Sequence, residues 1–186
     1  MAVPSRAVTT VRLRPEGLAD VAPIRRLVAQ AFASPETRRP PEVQLVEALR
    51  DSDAWLPELS MVAEVDGELV GYALLSRVLV QPGAIPALAL GPVAVRPDRQ
   101  RRGYGRDVVQ AALDAAAELD ERLVLVLGNP AYYRRFGFEP AARFKLTSPW
   151  SGLGDPWQAL VLPSTDGAVE PVPSGEVIFP APWSQV

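Results

Sequence analysis

The chain has 186 residues, 48% hydrophobic and 22% charged, enough for one globular domain with a buried core. Lys+Arg 19 against Asp+Glu 22 gives a net charge of -3, without the surplus of cations that a generic grip on nucleic acid needs. With Cys 0 and His 0, disulfides, thiolate metal sites, an imidazole base and most zinc chemistry are excluded; no metal is expected, and Tyr, Ser, Thr, carboxylates, Arg, Lys145, backbone amides or water must carry any reaction.

The first residues lack the apolar core of a secretory leader, and no apolar run of about 18 residues is present, so a cytoplasmic protein without a membrane span is expected. Residues 11–14 alternate apolar and charged and read as a short strand. From 18 to 33 the positions Leu18, Val21, Ile24, Leu27, Val28, Ala31 and Phe32 keep helical spacing. Residues 34–41 (SPETRRPP) form a breaker-rich loop, and 42–50 a second helix. Residues 59–65 and 68–80 are strands joined by the hairpin signal Asp66-Gly67. The stretch 87–95 (ALALGPVAV) is apolar on both faces, as a central strand is. Pro92 inside it cannot donate to the ladder, which predicts a bulge or local opening at Gly91-Pro92. Residues 101–119 form the clearest helix, 122–127 a second buried strand, and 129–135 a short helical turn. The tail from 147 to 186, rich in Pro and Gly, carries short strands at 158–162 and 176–179 and packs on the same domain, so 1–186 is expected to be a single domain. The order β-α-α-β-β-β-α-β-α-β is a mixed α/β (α+β) architecture.

The sharpest chemical signal is the run from Val93 to Arg106, where a buried strand, a glycine loop and a long helix follow one another. The first amides of a helix have no internal partner and its dipole makes that end positive, so the loop is an anion-binding end. Arg99, Arg101, Arg102 and Arg106 crowd it, at a cost of about 0.3–1 kcal/mol per charge in a free helix, and a bound polyanion would reverse that sign. A Walker loop is absent, and the third glycine of a dinucleotide fingerprint is Val108. The acids Glu118, Asp120 and Glu121 crowd the other helix end, where negative charge is unfavourable.

Gln100-x-x-Gly103-x-Gly105, preceded by Val93-Ala94-Val95 and followed by Tyr133-x-x-x-Gly137-Phe138, resembles the GNAT superfamily of N-acetyltransferases, over roughly residues 9–146. The run LGPVAV…LVLGNPAYYRRFGF looks most like a bacterial subgroup of predicted N-acetyltransferases. The resemblance implies a mixed, mostly antiparallel central sheet with a splayed central strand, flanked by about four helices. It implies acetyl-CoA as co-substrate, with the backbone of Val93, Ala94 and Val95 along the pantetheine arm. The loop Gln100, Arg101, Arg102, Gly103, Tyr104, Gly105 and Arg106 would lie at the pyrophosphate, and Asn129 near the thiol end. Tyr133 would be the acid that protonates the leaving thiolate, a role a neutral phenol can fill. Tyr132 and Tyr133 could also simply fill the core beside Phe136 and Phe138, and Asn129 could be a turn residue before Pro130. Asn129 stands nearer to Tyr133 than in many family members.

Many family members carry a glutamate base on the central strand, but residues 87–95 contain no acid. Glu42, Glu47, Asp51, Asp53 and Glu64 remain as candidates, each equally readable as a solvated charge. By analogy with the family, residues 34–41 and 51–57 flank the acceptor, and Trp55 lines that site or anchors its loop. The acceptor would be a primary amine of a small molecule or peptide, with neither nucleic acid nor membrane as partner; the alternative is a non-catalytic acyl-CoA-binding module or sensor. The tail aromatics Trp150, Trp157, Phe179 and Trp183 would close over the sheet or form a homodimer contact.

Overall fold

A computed structural model describes residues 10–37, 39–164, 167 and 171–185 of the chain. Strand β1 (Val11–Pro15) runs antiparallel to β2 (Ser60–Val65), β2 to β3 (Glu68–Gln81), and β3 to β4 (Ile85–Val95). Beyond β4 come β5 (Leu123–Leu127), β8 (Trp157–Val161) and β6 (Glu139–Pro140). Strand β9 (Gly175–Ile178) pairs with Leu79–Gln81 of β3, and β7 (Leu146–Thr147) runs parallel to β9. The sheet is mostly antiparallel, as the family resemblance implies; β4 with β5 and β7 with β9 are its parallel pairs among the described residues.

The two-residue alternation of a strand divides β3 between the two faces of the sheet. Tyr72 and Leu74 pack with α1 (Val21–Ala31) and α2 (Pro41–Arg50). Ala73 and Leu75 face α3 (Tyr104–Glu118), whose Val108, Val109 and Ala112 are fully buried. A third cluster, around Val78, Ala89, Leu125 and Trp157, joins the tail strands to the sheet.

The predicted bulge is present. Ala73 lies opposite Val93 and Leu75 opposite Leu90, so Leu74 alone faces both Gly91 and Pro92. Strand β4 pairs with β5 only at Leu88–Val124 and Ala89–Leu125. Beyond the bulge β4 stays with β3 and parts from β5, and the sheet opens.

Two predicted helices start later than their hydrophobic spacing suggests. Residues Leu18–Asp20 form a 3-10 turn, and Leu18, placed by the pattern on the apolar stripe, is 96% exposed. Polar contacts fix that entry instead: the Gly17 amide donates to Asp20 Oδ2 at 2.7 Å, and Asp20 pairs with Arg14 at 2.5 Å. At the glycine loop, Arg101 (φ 60) and Gly103 (φ 96) have left-handed backbones, so α3 begins at Tyr104.

The acids after α3 are partly explained. Glu121 grips Arg77 of β3 with both oxygens, at 2.8 and 2.5 Å. A second polar knot ties α2 to the sheet. Glu16 accepts from Arg50 at 3.0 Å and also from the hydroxyl of Ser60, which lies 3.0 Å from Tyr72 Oη.

Candidate active site

The gap between β4 and β5 exposes backbone. The Arg96 amide donates to the Val70 carbonyl at 3.0 Å, so position 96 faces β3. Alternation then turns Ala94 to β3 and leaves the N–H and C=O groups of Val93 and Val95 facing the gap. The Val95 carbonyl accepts from Gln100 Nε2 at 3.3 Å. The Ala94 side chain is buried among residues of α1 and α2.

Below this edge lies a groove of about 470 Å³. Val93 and Val95 form one wall, and Gln100, Arg101, Gly103, Gly105 and Arg106 form its end, with Tyr104 beneath. Gly103 caps α3 and has no side chain to accept from the first-turn amides, which suits an external anion. Gly105 is needed for space: a Cβ there would sit 3.1 Å from Tyr132 Oη and 3.2 Å from Val95 Cγ2. Arg106 pairs with Asp107 at 2.9 Å, while Arg101 and Arg102 are exposed and make no ion pair among the described residues. Arg102 does not line the groove.

The third wall comes from α4 (Pro130–Tyr133) and the turn after it. Asn129 is exposed and caps this helix, its Oδ1 accepting from the Ala131 amide at 2.9 Å; it lines neither this groove nor the cavity beside it. The turn reading of Asn129 is thus the one the geometry favours, because the short α4 uses that side chain as its cap. Arg135, which sequence reasoning missed, lines the groove with its guanidinium 4.7 Å over the Tyr132 ring. Its position three residues after Tyr132, on the same helical face, was the available signal.

Tyr133 is 9% exposed. Its ring meets Tyr132 edge-on at 5.0 Å and Phe138 at 5.6 Å, and a Cβ on Gly128 would run into it. The Tyr133 hydroxyl makes no hydrogen bond to the described residues, yet it is not among their fully buried unpartnered polar atoms, so it opens onto free space. Burial, and secondarily the neighbouring Tyr132, pushes its pKa up to about 12, which keeps the phenol protonated at neutral pH. Burial pushes Tyr132 up as well, against the pull of Arg135.

A second cavity, of about 320 Å³, adjoins the groove, and Val93 and Tyr133 belong to both. The bulge at Gly91-Pro92 forms part of it, and Trp183 packs there so closely that a Cβ on Gly91 would sit 3.1 Å from its ring. The tail aromatics turn onto one another and onto the sheet: Trp150 meets Phe179 at 4.7 Å, and Phe179 meets Trp183 at 5.4 Å. Of the acids considered as a base, only Glu42 lines this cavity. Glu47 pairs with Arg25 and Glu64 with Arg14; Asp51 and Asp53 lie beyond the far end of α2. Trp55 anchors its loop under the Arg50 guanidinium, 5.1 Å away, and lines neither space. Among the described residues no cluster of His, Cys, Asp or Glu could hold a metal ion, and no helix is long and apolar enough to cross a membrane.

Comparison with known proteins gives consistent matches. The profile of the family described as "Acetyltransferase (GNAT) family" matches residues 24–138. The uncharacterized N-acetyltransferase YhbS of Escherichia coli K12 is 34% identical over 117 residues, covering 63% of this chain and 70% of that protein. The crystal structure of YhbS from Escherichia coli in complex with CoA superimposes with a TM-score of 0.82 at 28% identity, covering 97% of this chain and 95% of the other. A GNAT family acetyltransferase from Brucella melitensis, in complex with acetyl-CoA, gives a TM-score of 0.73 at 29% identity, covering 94% and 99%.

Proposed function

The chain belongs to the acetyltransferase (GNAT) family, and we propose that it moves an acetyl group from acetyl-CoA to a primary amine of a small molecule or peptide, with Tyr133 as the proton donor. The observation that carries this reading is the position of Tyr133. Its protonated hydroxyl, without a hydrogen-bond partner, belongs to a ring that walls both the groove and the adjoining cavity.

The residues of the groove fit acetyl-CoA. The outward backbone of Val93 and Val95 offers an extended chain the pairing of an added strand. The start of α3, whose cap Gly103 brings no side-chain acceptor, offers amides to a pyrophosphate, and Arg101, Arg106 and Arg135 add positive charge around it. Arg102, exposed beside the loop, adds to the same field. When bound, acetyl-CoA supplies an acetyl group activated as a thioester.

The adjoining cavity holds the amine against Val93 and Tyr133. The amine nitrogen forms the new bond to the acetyl carbon as the carbon–sulfur bond breaks. Tyr133 Oη gives its proton to the departing sulfur, and the attacking nitrogen, neutral by then, sheds its one surplus proton to solvent, from which the phenol is restored. An amine that enters as an ammonium ion first loses one proton to water, which serves as the base because β4 carries no acid.

The test is turnover, read as release of free thiol from acetyl-CoA with a panel of amines, in wild type and Tyr133→Phe. The variant should lower kcat by about 10²-fold, within the range of a lost general acid, while retaining acetyl-CoA affinity. Equal kcat in both proteins would remove Tyr133 from the reaction.

A further inference from the structure

We infer that the cavity beside Tyr133 selects amines carried on an apolar, preferably aromatic, body, and that Glu42 receives their ammonium group; this rests on the reading above that the adjoining groove holds acetyl-CoA. Three observations lead there.

The cavity is lined mostly by ring and aliphatic carbon. Trp150, Trp157, Phe179 and Trp183 come from the tail, and Phe32 from the end of α1. The polar atoms of two of these rings face other partners: Trp157 Nε1 donates to the Leu146 carbonyl at 3.3 Å, and Trp183 Nε1 to Ser76 Oγ at 3.1 Å. These two rings therefore offer carbon to a ligand. Such a lining, at the small end of ligand-pocket sizes, favours a compact apolar body.

Among the described residues Glu42 is the one charged side chain that lines the cavity, and it forms neither a hydrogen bond nor an ion pair with any of them. Other carboxylates of the described residues, Glu16, Asp20, Glu64 and Glu121, are paired with arginines. A carboxylate on a wall that is otherwise carbon gives an ammonium group an opposite charge to meet. The aromatic faces add attraction for the same cation.

The cavity also lacks what other acceptors need. Among the described residues no Arg or Lys lines it, so a substrate carboxylate or phosphate would meet the repulsion of Glu42. Few polar side chains are present to replace the water around a polyol. The chemistry therefore points to a monoamine with an alkyl or aryl body and against amino acids and sugar amines.

The tryptophans of the lining give a direct readout that does not depend on acetyl-CoA. Intrinsic fluorescence would be titrated with phenethylamine, ethanolamine and phenylpropionate on wild type, Glu42→Gln and Glu42→Lys, with calorimetry of acetyl-CoA run on the same proteins. Phenethylamine should bind wild type most tightly and be acetylated with the highest kcat/KM. Glu42→Gln should weaken it by roughly tenfold or more. Glu42→Lys should transfer the preference to phenylpropionate, and all three proteins should retain their affinity for acetyl-CoA. Ethanolamine binding as well as phenethylamine, or Glu42→Gln and Glu42→Lys leaving the order of ligands unchanged, would overturn the inference. Failure of wild type to bind acetyl-CoA would instead overturn the reading of the groove, while the fluorescence titrations would still decide the selectivity of the cavity.

Discussion

Gly128 and the ring of Tyr133 are packed so closely that no Cβ fits at position 128. The end of β5 thereby sets where the candidate proton donor stands. Gly128→Ala should destabilise the protein by about 1–3 kcal/mol, the usual cost of overpacking. In a Tyr133→Ala background the same change should cost far less, because the ring it collides with is gone. Chemical denaturation of the four proteins measures the coupling; additive effects would mean that position 128 relaxes without moving Tyr133.

Tyr133 is held protonated well above neutral pH, with its pKa pushed up to about 12. Its ionisation should therefore not limit kcat below the ordinary tyrosine value of about 10. The sign for stability follows. A raised folded pKa favours the folded protein fully below the unfolded value, and that advantage is lost as pH rises from the unfolded value through the folded one. Melting temperatures across the window from about pH 10 to about pH 12 should fall more steeply for wild type than for Tyr133→Phe.

Asp20 behaves oppositely. Its hydrogen bonds to Arg14 hold its pKa below the ordinary 3.8. A lowered folded pKa gives stability that is present above the unfolded value and lost as pH falls through the folded one. Asp20→Asn should therefore lower Tm at neutral pH, and the gap to wild type should close on acidification below 3.8. A gap independent of pH would show that shape, and not charge, holds the turn.

Gly105 is confined between Tyr132 and Val95. Gly105→Val should displace one of them and weaken acetyl-CoA by about tenfold or more, since both line the groove. Calorimetric titration of acetyl-CoA into the variant measures this, with circular dichroism to confirm its fold.

Much of the fold was legible because its signals are local. The apolar run 87–95, Pro92 within it and the glycine loop after it gave the central strand, its bulge and the start of the groove. The exact start of α3 was not legible, because Arg101 adopts a left-handed backbone that nothing in its identity demands. Leu18 misled for a related reason: helical spacing placed it on the core stripe, but Asp20 and Arg14 set the turn. Arg77 supplies a reason for Glu121, and that contact joins residues 44 positions apart, which no local pattern encodes. The acceptor cavity was the least legible part. It is assembled from α1, α2, β4, β5 and the tail, and the tail aromatics show which way they turn only once β8 and β9 are in the sheet. Asn129 shows a different effect: the resemblance places it near the thiol end of the cofactor, and the structure adds a local use of its side chain, as the cap of α4.

The central claim is that the groove beside β4 holds acetyl-CoA, and calorimetric titration of acetyl-CoA into wild type and Gly103→Glu tests it most directly. Wild type should bind one equivalent with micromolar affinity, and a glutamate at the start of α3 should abolish binding, because its charge and bulk would occupy the anion end of the groove. Absence of binding to folded wild type, or equal affinity in the two proteins, would contradict the account.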